Sequence, residues 1–551
     1  MKLLPLFALF VAAFGSAAAV VAAPPRPFVF DMVHDNPTEA PYDTRYGDTS
    51  VLAGMGYNGR VLQLFDSPTL GIDWSHYDPS IFPPGSPGRA WIDAKAALID
   101  QKLAANRAAG LASFALGDLV LLPKALVVKH GAEKTFGDPR NPQTREFLRA
   151  MIDGIFKRFP DFDGIVVRIG ETYLHDAPHH VGKIQDPHNP EKTIIPLLQL
   201  LREEVCVKRG KTLIFRTWLS FDRSADSYAK VDAAVEPHPL LVISIKHCEN
   251  DFHRGTRFSR SIAQGRHPQI IEAQCSREYE GKGSYPNYFA HGVITGFEEH
   301  QRIVDRDDSP YRSIGDFARK DPLYAGLWTW TRGGGWEGPY IKDELWPDLN
   351  AWVLAQWAAA PAQSEEQIFR RYATERLKLT PQDADRFRRL ALASADAVLR
   401  GRAPDRGEHS VWWTRDHYIN APIFEETATP VARQRILAWR DQSVGLWREI
   451  VALADEIQFP DAGTAEHVRI SSRYGLHLYR IYQAAWHLAA LTPSGPRAEI
   501  DSWLAAYDAA WSDYRALPAT SELCASLYLE KGSPHHGHIP GINRFIATFR
   551  P

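Results

Sequence analysis

The sequence predicts a (β/α)₈ barrel followed by an all-α region, and three observations carry that prediction. First, eight short apolar runs recur in order: Phe28–Val33, Arg60–Phe65, Ala112–Val120, Gly164–Ile169, Thr212–Leu219, Leu240–Ile245, Gln269–Cys275 and Tyr324–Trp330. They are continuous rather than alternating, the pattern of strands that helices cover on one face and a packed lumen fills on the other. Second, amphipathic stretches separate them. Trp91–Ala109 stops at Gly110, Pro142–Phe159 starts after Asn141 and ends before Pro160, and Ile194–Lys208 ends before Gly210, all residues that start or stop helices. Third, from Pro361 onward only helical periods occur, over Ser364–Leu377, Pro381–Leu399, Pro430–Ile457, Ala465–Leu491 and Arg497–Leu517. Alternating β and α elements call for a parallel sheet, and eight repeats close it. A doubly wound open sheet would favour a Gly-rich dinucleotide fingerprint after the first run, and none is there.

The 551 residues exceed one compact domain. Lys2 followed by the apolar run Leu3–Phe14 and the small residues Ser16–Ala23 reads as a secretory signal. The expected division is therefore a signal peptide over 1–23, a catalytic barrel over 24–360 and a helical domain over 361–551, with a secreted or periplasmic location. A net charge of −3 gives no basic surplus for nucleic acid, and no second apolar stretch implies a membrane partner once the signal is cleaved. Four cysteines are too few for a disulfide scaffold. Cys248 and Cys275 follow neighbouring strands, so they either pair or stay as buried thiols.

In such barrels chemistry sits at the C-terminal ends of the strands. The first strand ends with Asp31, His34 and Asp35, and the third carries Asp118. Arg168 and Glu171 leave the fourth, and Trp218 leaves the fifth. The sixth runs through Lys246 to Asp251, the seventh through Glu272 to Arg277 and Glu278, and the eighth through Trp330 and Arg332 to Gly333-Gly334-Gly335-Trp336. Acids and aromatics converging on one rim suit glycoside hydrolysis. One carboxylic acid protonates the leaving oxygen while a carboxylate opposite activates water or attacks the sugar. Glu171 is the candidate acid; Asp251 and Glu278 are the candidate bases. Glu272, earlier in its strand, fits a structural role inside the barrel and a site role equally. Asp31, Asp35, Asp118, Trp218, Trp330 and Trp336 are candidate substrate contacts, since flat aromatic faces with a polar tip suit sugar rings. No cofactor or metal is expected: His175, Asp176, His179 and His180 match no tight ligand spacing, a Gly-x-Ser-x-Gly elbow is absent, and the triple glycine lacks the Lys-Ser/Thr of a phosphate loop.

The segments Lys246-His247-Cys248-Glu249-Asn250-Asp251-Phe252-His253 and Ile271-Glu272-Ala273-Gln274-Cys275-Ser276-Arg277-Glu278-Tyr279 resemble corresponding segments of glycoside hydrolase family 67, the α-glucuronidases of xylan breakdown. The last barrel unit, around Gly335-Trp336-Glu337-Gly338 and Leu345 to Trp357, is similar too. The resemblance implies an inverting enzyme with Asp251 and Glu278 activating water and Glu171 as acid. It also implies an oligosaccharide or polysaccharide substrate whose carboxylate is met by Arg168, Lys246, Arg277 or Arg332. Three departures accompany it. The family's N-terminal β-domain is missing, the residues around Glu171 differ, and Cys248-Glu249-Asn250 replaces the family's Gly-Pro-Ile. The rival readings are a non-catalytic glycan-binding barrel and a retaining glycosidase acting on a neutral sugar.

Overall fold

The computed structural model describes residues 26–36, 39–169, 174–218, 224–248, 252, 258–296, 311, 313–334, 338–402, 429–528 and 541–551. Among the described residues ten strands form: β1 Phe28–His34, β2 Gly59–Leu62, β3 Ala112–Asp118, β4 Leu121–Pro123, β5 Gly164–Arg168, β6 His180–Gly182, β7 Thr212–Arg216, β8 Leu241–Lys246, β9 Gln269–Gln274 and β10 Tyr324–Gly333. Eight of them close into a parallel barrel in the order β1-β10-β9-β8-β7-β5-β3-β2, while β4 and β6 make a separate antiparallel pair. Each expected run therefore supplies one barrel strand. The small β4–β6 pair was not expected.

Side chains alternate along each strand, so one parity faces the lumen. Its lower part is filled by Phe30, Phe114, Val166, Ile214, Val242, Ile270 and Trp328, residues whose burial contributes about 1.5–3 kcal/mol each. The other parity packs on the helical layer, where helix Pro87–Ala108 is capped by Ser86 and helix Pro142–Arg158 by Asn141. Helix Leu345–Ala359 is buried on nearly every side. It lies between the barrel and the C-terminal helices: the Trp346 ring stacks on Phe387 and its Nε1 donates to Ser471 Oγ at 3.0 Å. Those helices are Glu365–Arg371, Pro381–Arg402, Pro430–Glu456, Ala462–Leu491 and Arg497–Ala516. One hydrophobic core runs through them into the barrel's outer layer. Among the described residues no helix is long and apolar enough to cross a membrane. Cys206, Cys248, Cys275 and Cys524 are buried thiols in no disulfide, so the pairing considered for Cys248 and Cys275 does not occur.

Candidate functional site

The lumen changes character with height. At the C-terminal ends of the neighbouring strands β3 and β5, Asp118 and Arg168 lie in register and form a buried ion pair with Nε 3.4 Å from Oδ1. Just beyond β7, the Trp218 ring lies under the Lys246 ammonium, whose Nζ is 3.5 Å from the ring centroid. Phe252 takes the same cation at 4.7 Å. Two aromatic faces thus hold one cation at the mouth, an attraction of about 0.5–2 kcal/mol per face. Trp330 continues the aromatic wall. Its ring stacks on His34 at 5.2 Å and meets Phe252 edge-on at 5.7 Å.

One level lower, Arg216 and Glu272 form a bidentate pair, with both N–H···O distances 2.8 Å. Ser244 Oγ donates to the same carboxylate at 2.7 Å, and the guanidinium sits 4.9 Å from the Trp330 ring. Both side chains are fully buried. The two roles open to Glu272 are thereby resolved: its carboxylate is saturated inside the barrel and braces the layer beneath the mouth.

The turn after β9 carries Glu278. Its backbone N–H donates to the side-chain oxygen of Gln274, the last residue of β9, at 2.6 Å, and its carboxylate is buried. Opposite it, Gly334 has φ +75°, and a Cβ there would fall 2.0 Å from Glu278 Oε2 and 2.5 Å from Gln274 Nε2. Only glycine lets the backbone just past β10 come this close. Ser276 Oγ ties the turn to the Gly333 carbonyl at 3.2 Å.

Four expected substrate contacts are placed otherwise. Asp31 has the opposite parity to Phe30 and Met32, so it faces the helical layer. There it accepts from Thr329 Oγ1, Thr331 N and Thr331 Oγ1 at 2.7–3.1 Å, and burial pushes its carboxyl up to about 6. Asp35 accepts from Tyr42 N and Gln63 Nε2 and lines a cavity of about 350 Å³ with Arg60, Asp66 and Lys102, against helix Pro87–Ala108. Arg277 is bonded to Glu280 through Nε and Nη2 at 3.2 and 2.9 Å and lies over Phe289. Arg332 pairs with Glu344 and covers the Tyr42 ring. These two cations already have carboxylates of their own.

The structure therefore brings together Asp118, Arg168, Trp218, Lys246, Trp330 and, at the β9–β10 side, Glu278. Glu171, Asp251 and Trp336 lie outside the described residues. His34, Phe252 and Gln274, which the sequence puts at strand exits without a role, also line the mouth. The strand parity that set Glu272 inward also sets Gln274 inward, so that signal was available.

No protein-family model matches the chain, and no curated protein matches it. Solved structures do. The fold is similar to a GH138 enzyme targeting pectin rhamnogalacturonan II, with a TM-score of 0.58 and 11% identity, covering 96% of this chain and 83% of that one. A variant of the Thermobaculum terrenum O-GlcNAc hydrolase gives a TM-score of 0.38 at 8% identity, covering 90% and 95% of the two chains. A glycoside hydrolase family 5 enzyme from Prevotella bryantii gives 0.32 at 13% identity, covering 61% and 96%. At 11% identity the first likeness is one of fold, and it extends through the barrel and the helical region together.

Proposed function

We propose that the chain is a glycoside hydrolase that cleaves a uronic-acid-bearing oligosaccharide or polysaccharide of plant type by an inverting acid/base mechanism. The observation that carries this reading is the upper lumen itself. A buried carboxylate, Glu278, shares a barrel mouth with an aromatic wall and two cations, above a core that is otherwise closed. The fold neighbour that targets a pectin supports a plant glycan as substrate.

In this reading Glu171, three residues beyond the end of β5, protonates the leaving oxygen. Asp251 and Glu278, on the segments after β8 and β9, take the proton of the attacking water. Water adds at the anomeric carbon as the glycosidic C–O bond breaks, and acid and base carboxyls about 6.5–9.5 Å apart leave room for it. Lys246 meets the sugar carboxylate beside the Asp118–Arg168 pair, while Trp218 and Trp330 offer faces to the ring. The charged, apolar and small-residue pattern over 1–23 supports export to where such polymers are met.

The test is incubation of the purified protein with pectic fragments and uronic-acid-bearing oligosaccharides, followed by proton NMR. Release of a uronic acid whose first-formed anomer is inverted is expected. A retained anomer would contradict the inverting mechanism. Tight binding without release from any of these substrates would instead favour a glycan-binding barrel.

A further inference from the structure

The turn that follows β9 is unusual in being closed off from solvent along its whole length: residues 275–290 are all buried. Loops at a barrel mouth ordinarily run over the surface. Here the C-terminal helices cover the loop. Tyr285 packs against Trp447 and Tyr479, with ring centroids 5.6 and 5.7 Å away. Tyr288 packs on Phe369, donates its hydroxyl to Glu365, and donates its backbone N–H to Ser394 Oγ, 3.1 Å away. Glu365 also takes His291 at 2.8 Å and both terminal nitrogens of Arg388 at 3.0 and 2.7 Å. Asn350 accepts from the N–H groups of Phe289 and Ala290 and donates to the Asn287 carbonyl.

Within the turn a second carboxylate does the tying. Glu280 receives Arg277 through two nitrogens and Asn287 Nδ2 at 3.0 Å, so it joins both ends of the segment that contains Glu278. Arg277 and Lys282 hold left-handed backbone, with φ 54° and 51°. Non-glycine residues keep such conformations where the surroundings over-determine them.

We infer that Glu280 is a positioning residue for Glu278, and that the C-terminal helices belong to the catalytic apparatus through the turn they cover. This rests on the reading of Glu278 as a water-activating carboxylate. Such a group matters to the chemical step and little to ground-state binding, so its misplacement lowers kcat and leaves KM.

The test uses the full chain with Glu280→Gln and, further out, Glu365→Gln, which leaves the bonds inside the turn intact. Turnover and backbone amide exchange are read together, with Glu278→Gln as control. Glu280→Gln is expected to lower kcat at least tenfold and Glu365→Gln at least threefold. KM should stay within twofold in both, and exchange over 276–289 should rise while the barrel strands stay protected. Unchanged exchange in this segment overturns the inference whatever the turnover. So does unchanged kcat in both variants when Glu278→Gln is inactive. Full turnover in Glu278→Gln would instead sink the role given to that residue, with the exchange data still deciding whether Glu280 and the helices hold the turn.

Discussion

The lower and upper parts of the barrel lumen are built by the same strands, mostly four residues apart, and differ in almost every property. Below, Phe30, Phe114, Ile214, Val242 and Ile270 fill the space as a dry core. Above, His34, Asp118, Lys246 and Gln274 follow two inward positions further along their strands, and Arg168 one inward position beyond Val166. The Arg216–Glu272 pair, with Ser244, lies between the two. Height along the strand thus separates a packed apolar core from polar groups held on rigid strand ends, where the proposed substrate would bind.

The largest effect expected from disturbing this division is at its boundary. Arg216→Met leaves the Glu272 carboxylate buried without its cation and should cost about 3–5 kcal/mol of stability in urea titrations. Arg216→Met with Glu272→Met should recover most of that loss. No recovery would mean that the pair is needed for more than mutual compensation. Asp31, on the outer face of β1, offers a third environment. Its carboxyl is pushed from the ordinary 3.8 up to about 6 by burial, against the bonds from the two threonines. A raised carboxyl favours the folded state while protonated, so its contribution is fully present below about 3.8 and is lost as pH rises through about 6. The loss amounts to about 3 kcal/mol. Asp31→Asn should flatten the stability-against-pH curve in that window, and an unchanged curve would show the carboxyl to be unperturbed. The smallest effect is at the mouth. Trp218→Leu removes one face from Lys246 and a stacking surface, so KM should rise about tenfold with the melting temperature held. A fall in stability without a change in KM would place Trp218 in the core.

Much of the architecture was legible because continuous apolar runs and helix caps leave strong marks. Asn141 caps its helix as expected, through Gln143 N and Thr144 N. The β4–β6 pair escaped because three-residue strands carry no period. The placement of Asp31 was hidden for a related reason. In Phe28-Val29-Phe30-Asp31-Met32-Val33 both faces are buried, so nothing in the run says which way Asp31 points, and only the pairing with β10 decides it. Arg277 and Arg332 were expected to meet a substrate carboxylate, and their own partners, Glu280 and Glu344, become partners only through turn geometry. Glu272 was undecidable since Arg216 lies two strands away. Gly334 stood in an evident glycine run, yet what it approaches, Glu278, is set by the fold.

The most direct measurement is turnover, glycan affinity and melting temperature of Glu278→Gln beside the parent protein, on whichever substrate the parent cleaves. A loss of at least a hundredfold in kcat, with affinity and melting temperature retained, is the expected result. Full turnover, or a loss explained entirely by unfolding, would contradict the assignment of chemistry to the upper lumen.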